Sequence, residues 1–331
     1  MTRYDAHRRA IRYLRVSVTD RCNLRCVYCM PSEGVPSCGH DAILRYEEIE
    51  KVVRAAAALE IHKVRLTGGE PLARLGIVDL VRMLSVIPGI DDLSMTTNGI
   101  LLSRYADELK RAGLRRVNVS LDTLRPERYR QITRRGNLAD ALAGIEAAGR
   151  AGLSPVKINA VIIRGLNADE VVDLAYKTVS DGWHVRFIEW MPVGEPIVGA
   201  GDWEDGVVTA QEMRSQIEAA LGPLAPASTQ AGAGPARYYR LPRAPGTVGF
   251  ISALSEHFCD SCNRLRLTAD GKLRPCLFSS HEIDLRTPLR AGAGTAEIEA
   301  LFAQAIAAKP EGHHLREHEA VYDRTMSQIG G

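Results

Sequence analysis

The sequence of 331 residues contains no run of eighteen apolar residues, so no segment reads as a membrane-spanning helix. Its first residues, MTRYDAHRRAIRYLRVS, lack the apolar stretch of a secretion signal, and Asp5 with the strand-like run from Ile11 leaves little room for an organelle transit peptide. A cytoplasmic protein is expected. No excess of one charge is present: a formal net charge of +2 supplies no general attraction for nucleic acid, and neither nucleic acid nor a membrane is expected as a partner. There is no internal repeat. Neither G-x-x-x-x-G-K-[ST] nor G-x-G-x-x-G occurs, which excludes the usual glycine cradles for nucleotide phosphates. The cysteines number seven, an odd count that cannot all pair within one chain, and a cytoplasmic setting disfavours structural disulfides.

What is present is an ordinary globular composition, 45% apolar and 25% charged, which supports a buried core and argues against disorder. The first two thirds alternate between β-rich and helix-period runs. Strands are predicted at residues 11–18, 62–66, 93–97, 116–121, 156–163 and 185–190, and helices at 46–59, 78–87, 104–111, 138–151 and 169–179. In the first helix Ile49, Val52, Val53, Ala56 and Ala57 recur at three- and four-residue steps, with Glu47, Glu48, Glu50 and Lys51 opposite. Six strand-helix units imply a parallel sheet, because parallel neighbours need crossover connections. The fold class expected is α/β, a partial, open TIM-type (β/α)6 barrel. Polar motifs fall at or just after the carboxyl ends of the strands, where such barrels carry their sites: Thr67-Gly68-Gly69-Glu70, Thr96-Thr97-Asn98-Gly99, Ser120-Leu121-Asp122 and Glu189-Trp190-Met191.

Thr209 with Glu212 forms a capping box for a helix to about Leu221, and the stretch GPLAPASTQAGAGPA then reads as a flexible loop or boundary. The expected division is a barrel core over 1–221, a linker over 222–236 and a β-rich C-terminal region over 237–331. In that last region residues 238–241 and 247–251 read as strands and 296–308 as a helix.

Three cysteines, Cys22, Cys26 and Cys29, follow the first strand in a segment whose Asp20 and Asn23 favour a loop. Three thiolates on a cubane 4Fe-4S cluster leave one iron without a protein side chain, free to bind and reduce something. Structural zinc normally takes four ligands in paired C-x-x-C units and fits the three-then-two spacing badly. The run CNLRCVYC resembles the signature of the radical S-adenosylmethionine superfamily, C-x-x-x-C-x-x-C with an aromatic before the last cysteine, and Gly68-Gly69-Glu70-Pro71 adds to the likeness. The resemblance implies that S-adenosylmethionine chelates the open iron, that the glycine turn contacts its amino group, and that one electron splits the sulfonium. The 5′-deoxyadenosyl radical so produced abstracts hydrogen from an unactivated carbon.

A second group, Cys259-x-x-Cys262 and then Cys276, again offers three ligands, and spacing alone leaves zinc with His257 or His281 as fourth ligand open. The neighbouring residues point elsewhere. HFCDSCNRLRLTADGKLRPCLF, with RVSVTDRCNLRCVYCMP, VRLTGGEPLAR, TTNG, VNVSLDTL, FIEWMP and Gly330-Gly331 in order, resembles the GTP 3′,8-cyclase family of molybdenum-cofactor biosynthesis across almost the whole chain. This resemblance implies a second 4Fe-4S cluster whose open iron accepts a guanine nitrogen. It implies hydrogen removal from the 3′ carbon of GTP, attack on C8, and passage of the product to a cyclic pyranopterin monophosphate synthase. An external electron donor and a homodimer are further expectations of the family.

Residue by residue, Arg15, Arg65, Thr96, Lys157, Arg264, Leu265 and Arg266 match GTP-contacting positions, and guanidinium forks suit bidentate phosphate binding. Tyr28, Gly69, Ser120 and Met191 match positions that contact S-adenosylmethionine. Gly330 and Gly331 match a tail that enters the active site, although a chain end is ordinarily frayed. His314-x-x-Glu317-His318 fits a zinc-protease pattern but sits in a charged stretch without an apolar helical face, and is set aside. Cys38 falls outside the ligand pattern and reads as a spare thiol. The competing readings are another radical S-adenosylmethionine enzyme with an auxiliary cluster and, in a different class, a zinc-structured binding protein.

Overall fold

The computed structural model describes residues 4–36, 39–191, 193, 203–228, 234–313 and 324–330. Cys38, Gly331 and the segment holding His314, Glu317 and His318 lie outside the described residues.

Strands and helices alternate through the first two thirds: β1 (Tyr13–Ser17), α1 (Tyr46–Ala58), β2 (Lys63–Thr67), α2 (Ile77–Ser85), β3 (Asp92–Thr97), α3 (Leu102–Arg111), β4 (Arg116–Ser120), α4 (Pro126–Thr133), α5 (Leu138–Arg150), β5 (Lys157–Ile162), α6 (Val171–Ser180), β6 (His184–Glu189) and α7 (Ala210–Leu221). The local causes are visible. In α1 the buried Ile49, Val52, Val53 and Ala56 form the expected stripe, and Glu48 accepts from the Arg45 backbone N–H at 2.7 Å to close the first turn. At α7 both halves of the capping box form: Glu212 donates its backbone N–H to Thr209 Oγ1 at 3.2 Å, and Glu212 Oε2 accepts from the Thr209 N–H at 2.8 Å.

The C-terminal third adds β7 (Ala225–Pro226), β8 (Arg237–Arg240), β9 (Thr247–Ile251), β10 (Arg264–Leu267), β11 (Lys272–Arg274), β12 (Ile283–Asp284), α8 (Arg286–Arg290) and α9 (Thr295–Ala307). These strands join both edges of the same sheet, whose order is β12-β11-β10-β1-β2-β3-β4-β5-β6-β9-β8-β7. β10 pairs parallel with β1, and β9 pairs parallel with β6, so the parallel run is longer than the strand-helix units alone supply. Beyond them β11 and β8 turn antiparallel. The sheet therefore stays open among the described residues, and the second cysteine group is delivered to the edge beside β1. β7 falls within the stretch expected to be a linker.

The outer core lies between sheet and helices. Leu14 and Val16 of β1, Val64 and Leu66 of β2, Ile158, Ala160 and Ile162 of β5 and Leu265 and Leu267 of β10 are wholly buried on the helical side. Glu189, at the end of β6, accepts backbone N–H groups of Ala210, Leu254 and Ser255 at 2.8, 2.9 and 2.9 Å, tying that edge to α7 and to the loop after β9. No helix among the described residues is long and apolar enough to cross a membrane.

Candidate active site

Because side chains alternate across a strand, the face opposite the apolar core turns polar residues inward. The register sets three arginines side by side: Arg15 on β1 lies between Arg65 on β2 and Arg266 on β10. Neighbouring strands are about 4.8 Å apart, so this is a row of like charges at close range. Arg186 on β6 and Arg264 on β10 face the same cavity, which measures about 290 Å³. None of these five arginines forms an ion pair with a carboxylate among the described residues. Nε of Arg15 and Nε and Nη2 of Arg186 are buried without a hydrogen-bond partner. Burial, then the charge of Arg266, holds the Arg15 guanidinium well below its ordinary value. A partly buried cationic row with unsatisfied donors is costly unless an anion with many acceptor oxygens completes it, and a polyphosphate meets that description.

The first cysteine loop lines this cavity. The turn is closed by the N–H groups of Cys29 and Met30 on the Cys26 carbonyl at 3.0 and 3.2 Å, and the loop is stitched to the end of α4 through Arg25 N–H to Thr133 O and Val27 N–H to Ile132 O. Asn98, after β3, donates to Asn23 Oδ1 at 2.7 Å and lies 3.9 Å from Cys22 Sγ. The glycine turn locks on from β2: Gly69 N–H donates to Thr19 O at 2.7 Å and Glu70 N–H to Arg21 O at 2.8 Å. A Cβ on Gly69 would collide with the Arg21 carbonyl, so only glycine permits this approach. Glu70 is wholly enclosed and accepts from Thr97 Oγ1, the Asn98 N–H and the Leu72 N–H at 2.7, 2.7 and 3.1 Å. Burial nonetheless pushes its carboxyl up to about 7.

Tyr28 donates its hydroxyl to Asp122 Oδ2 at 2.6 Å, while Asp122 Oδ1 accepts the Val161 N–H at 2.9 Å. This bond fixes the aromatic ring before Cys29 against the ends of β4 and β5. Burial raises Asp122 to about 6. Ser120, Gly69 and Met191 line the same cavity.

The second cysteine group lines the same cavity. Cys259 and Cys262 flank a single turn in which the Cys262 N–H donates to the Cys259 carbonyl at 3.0 Å, and Cys276 follows β11. All six cysteine side chains of the two groups face the one cavity. They differ electrostatically. Burial pushes the thiol of Cys22 up to about 11 and that of Cys29 up to about 12, and also raises Cys26 well above its ordinary value, each reinforced by a neighbouring acidic group. For Cys262 burial also opposes ionisation, but Arg264 and Lys309 outweigh it and bring the thiol down to about 6. Thiolates in the first group need a cation among them.

The predicted positions are brought together unequally. Arg15, Arg65, Thr96, Arg264, Arg266, Tyr28, Gly69, Ser120, Met191 and the six cysteines all line the cavity. Leu265 does not: strand alternation turns its wholly buried side chain to the helical side. Lys157 is buried on β5 outside the cavity lining, with Nζ 3.4 Å from the Tyr238 hydroxyl. Gly330 is buried and receives Arg266 Nη1 at 3.0 Å on its carbonyl. Of the two histidines weighed as zinc ligands, His257 stands with His313 and Cys259, their ligand atoms within 4.8 Å of one another, and His281 is not part of that group. Sequence reasoning flagged the segments of Asp122 and Asn98 without giving either a role. It missed Arg186 altogether, since a lone arginine in a strand carries no signal until its register is known.

This fold and this cysteine loop define a radical S-adenosylmethionine protein. Residues 16–176 match the radical SAM superfamily and residues 183–315 the domain described as Molybdenum Cofactor Synthesis C. The fold resembles that of Streptococcus suis SuiB bound to S-adenosylmethionine, with a TM-score of 0.60 at 14% identity, covering 88% of this chain and 68% of that one. The chain is 61% identical to the GTP 3′,8-cyclase of Pelotomaculum thermopropionicum and 53% identical to that of Moorella thermoacetica, in each case over 99% of both chains. It belongs to the GTP 3′,8-cyclase family, whose superfamily binds a 4Fe-4S cluster and S-adenosylmethionine.

Proposed function

We propose that the chain converts GTP to (8S)-3′,8-cyclo-7,8-dihydroguanosine 5′-triphosphate, the first step of molybdenum-cofactor biosynthesis, in the single cavity that joins its two cysteine groups. That shared cavity, lined by both cysteine groups and by the arginines, is the observation that carries the reading. Cys22, Cys26 and Cys29 hold one 4Fe-4S cluster and Cys259, Cys262 and Cys276 a second; three thiolates at each leave one iron open. When bound, the first cluster and S-adenosylmethionine supply the electron and the adenosyl radical that removes the 3′ hydrogen. The rest falls to side chains. Tyr28, Gly69, Ser120 and Met191 hold S-adenosylmethionine, and the rigid Tyr28–Asp122 bond keeps that wall in place. Arg15, Arg65, Arg264 and Arg266 bind the triphosphate in place of a glycine loop; Thr96 contacts GTP from the same cavity, and Lys157 is a GTP contact proposed from outside its lining. Gly330 and Gly331 match the family's tail that enters the active site, and Gly330 is the residue that meets Arg266.

In this reading residues 1–221 form the radical core and 237–331 the substrate-cluster region, joined by 222–236. An external donor supplies two electrons, one to split the sulfonium and one that, with a proton, quenches the radical left after attack on C8; the product passes to a cyclic pyranopterin monophosphate synthase, and the protein works in the cytoplasm as a homodimer. The test separates the two cysteine groups. Cys26→Ala should abolish cleavage of S-adenosylmethionine, whereas Cys276→Ala should leave uncoupled cleavage and lose GTP cyclisation. Normal cyclisation by Cys276→Ala would remove the substrate role of the second cluster.

A further inference from the structure

Two cationic anchors, Arg9 before β1 and Lys309 after α9, reach all three ligand segments of the second cysteine group. Arg9 donates to the carbonyls of Cys259 and Glu311 at 2.8 Å each, and to that of Pro310 at 2.5 Å. Its charge is met locally, since Asp5 Oδ2 lies 2.6 Å from Arg9 Nε in a buried pair. Lys309 is different. Its Nζ donates to Pro275 O at 2.7 Å and to Arg264 O at 2.9 Å, the residue immediately before Cys276 and the second residue after Cys262. The side chain is 4% exposed, and no carboxylate pairs with it among the described residues. The two bonds are to neutral carbonyls; burial, with Arg264 and Arg9 nearby, lowers the ammonium below its ordinary value, and the groups that act the other way are the sulfurs of Cys262 and Cys276. An ammonium buried with only neutral partners is costly, so its placement is explained by an anion at the cysteines.

We propose that Lys309 is a positioning residue and built-in countercharge for the second cluster, spacing the Cys262 and Cys276 segments through their backbone and raising the cluster's reduction potential. The inference rests on the second cluster proposed above. A cubane on three thiolates gains negative charge on reduction, and a fixed ammonium beside two of them favours the reduced form; net charge and hydrogen bonding around the sulfurs are what set such potentials.

The test is a redox titration of the anaerobic holoenzyme followed by electron paramagnetic resonance, reading the signal that Cys276→Ala removes. Lys309→Met should lower the reduced-to-oxidised ratio of that signal at fixed potential at least tenfold, a shift of about 59 mV for one electron. Lys309→Arg should restore the parent ratio to within a few-fold. If Lys309→Met fails to assemble the cluster, Lys309→Gln and Lys309→Arg decide the matter: iron depletion in the first with full iron in the second supports the countercharge, and equal iron and equal midpoints in both overturn it. An unchanged midpoint in Lys309→Met at full iron content overturns the role of Lys309 alone. About four irons in the unaltered chain, instead of about eight, would remove the second cluster itself and the inference with it.

Discussion

Arg266 donates from Nη1 to the Gly330 carbonyl at 3.0 Å, a bond between residues 64 apart in sequence that seats the end of the chain over β1 and β2. Ile329 and Ser327 are buried with it. Gly330 has φ +75, and a Cβ there would lie 2.5 Å from Thr67 Oγ1 and 3.2 Å from Ser17 Cβ. Gly330→Ala therefore meets both a left-handed backbone penalty, about 1–2 kcal/mol, and a steric clash. We predict at least a tenfold loss of product with iron content and GTP affinity retained, measured on the same anaerobic sample; full yield would mark this end of the chain as dispensable.

For Arg264 and Arg266, alanine substitution should weaken GTP binding by roughly 1.5 to 3 kcal/mol each, the range for hydrogen bonds to charged groups. Guanosine, which lacks phosphates, should lose much less. Calorimetry with both ligands decides this, and equal losses would mean that the arginines do not read the triphosphate.

Lys157 gives a pH signature. Burial, then Arg186, Arg116 and Arg65, lowers its ammonium from the ordinary 10.5 to about 7. A lysine depressed on folding favours the folded state above about pH 10.5, and that contribution is lost as pH falls through about 7. If the triphosphate pairs with the charged form, binding takes up a proton above pH 7, and affinity falls by up to about tenfold per pH unit there. Calorimetry in two buffers of different ionisation enthalpy should detect the uptake in the parent and not in Lys157→Met. Equal proton uptake in both would place Lys157 away from the phosphates.

Much of this architecture was legible in the chain because local periodicity reports which face is buried. The expected strand over 116–121 and the observed β4, Arg116–Ser120, differ by one residue. Short polar elements carry less signal: α4 buries only Tyr129, Ile132 and Thr133 and was missed. Pairing is not a local property, so nothing near residue 264 announces that β10 lies parallel to β1 and sets Arg266 beside Arg15. That pairing is what joins the two cysteine groups in one cavity. Leu265 shows the converse limit, since matching a contacting position cannot say which way its side chain points in this strand.

The most direct measurement is a single anaerobic incubation of the iron-loaded protein with GTP, S-adenosylmethionine and reductant, with nucleotide products followed by mass spectrometry. The account predicts GTP consumed in step with 5′-deoxyadenosine formed, a product isomeric with GTP and linked from the 3′ carbon to C8, and loss of that product in Cys276→Ala. Reductive cleavage of S-adenosylmethionine with GTP returned unchanged would contradict it.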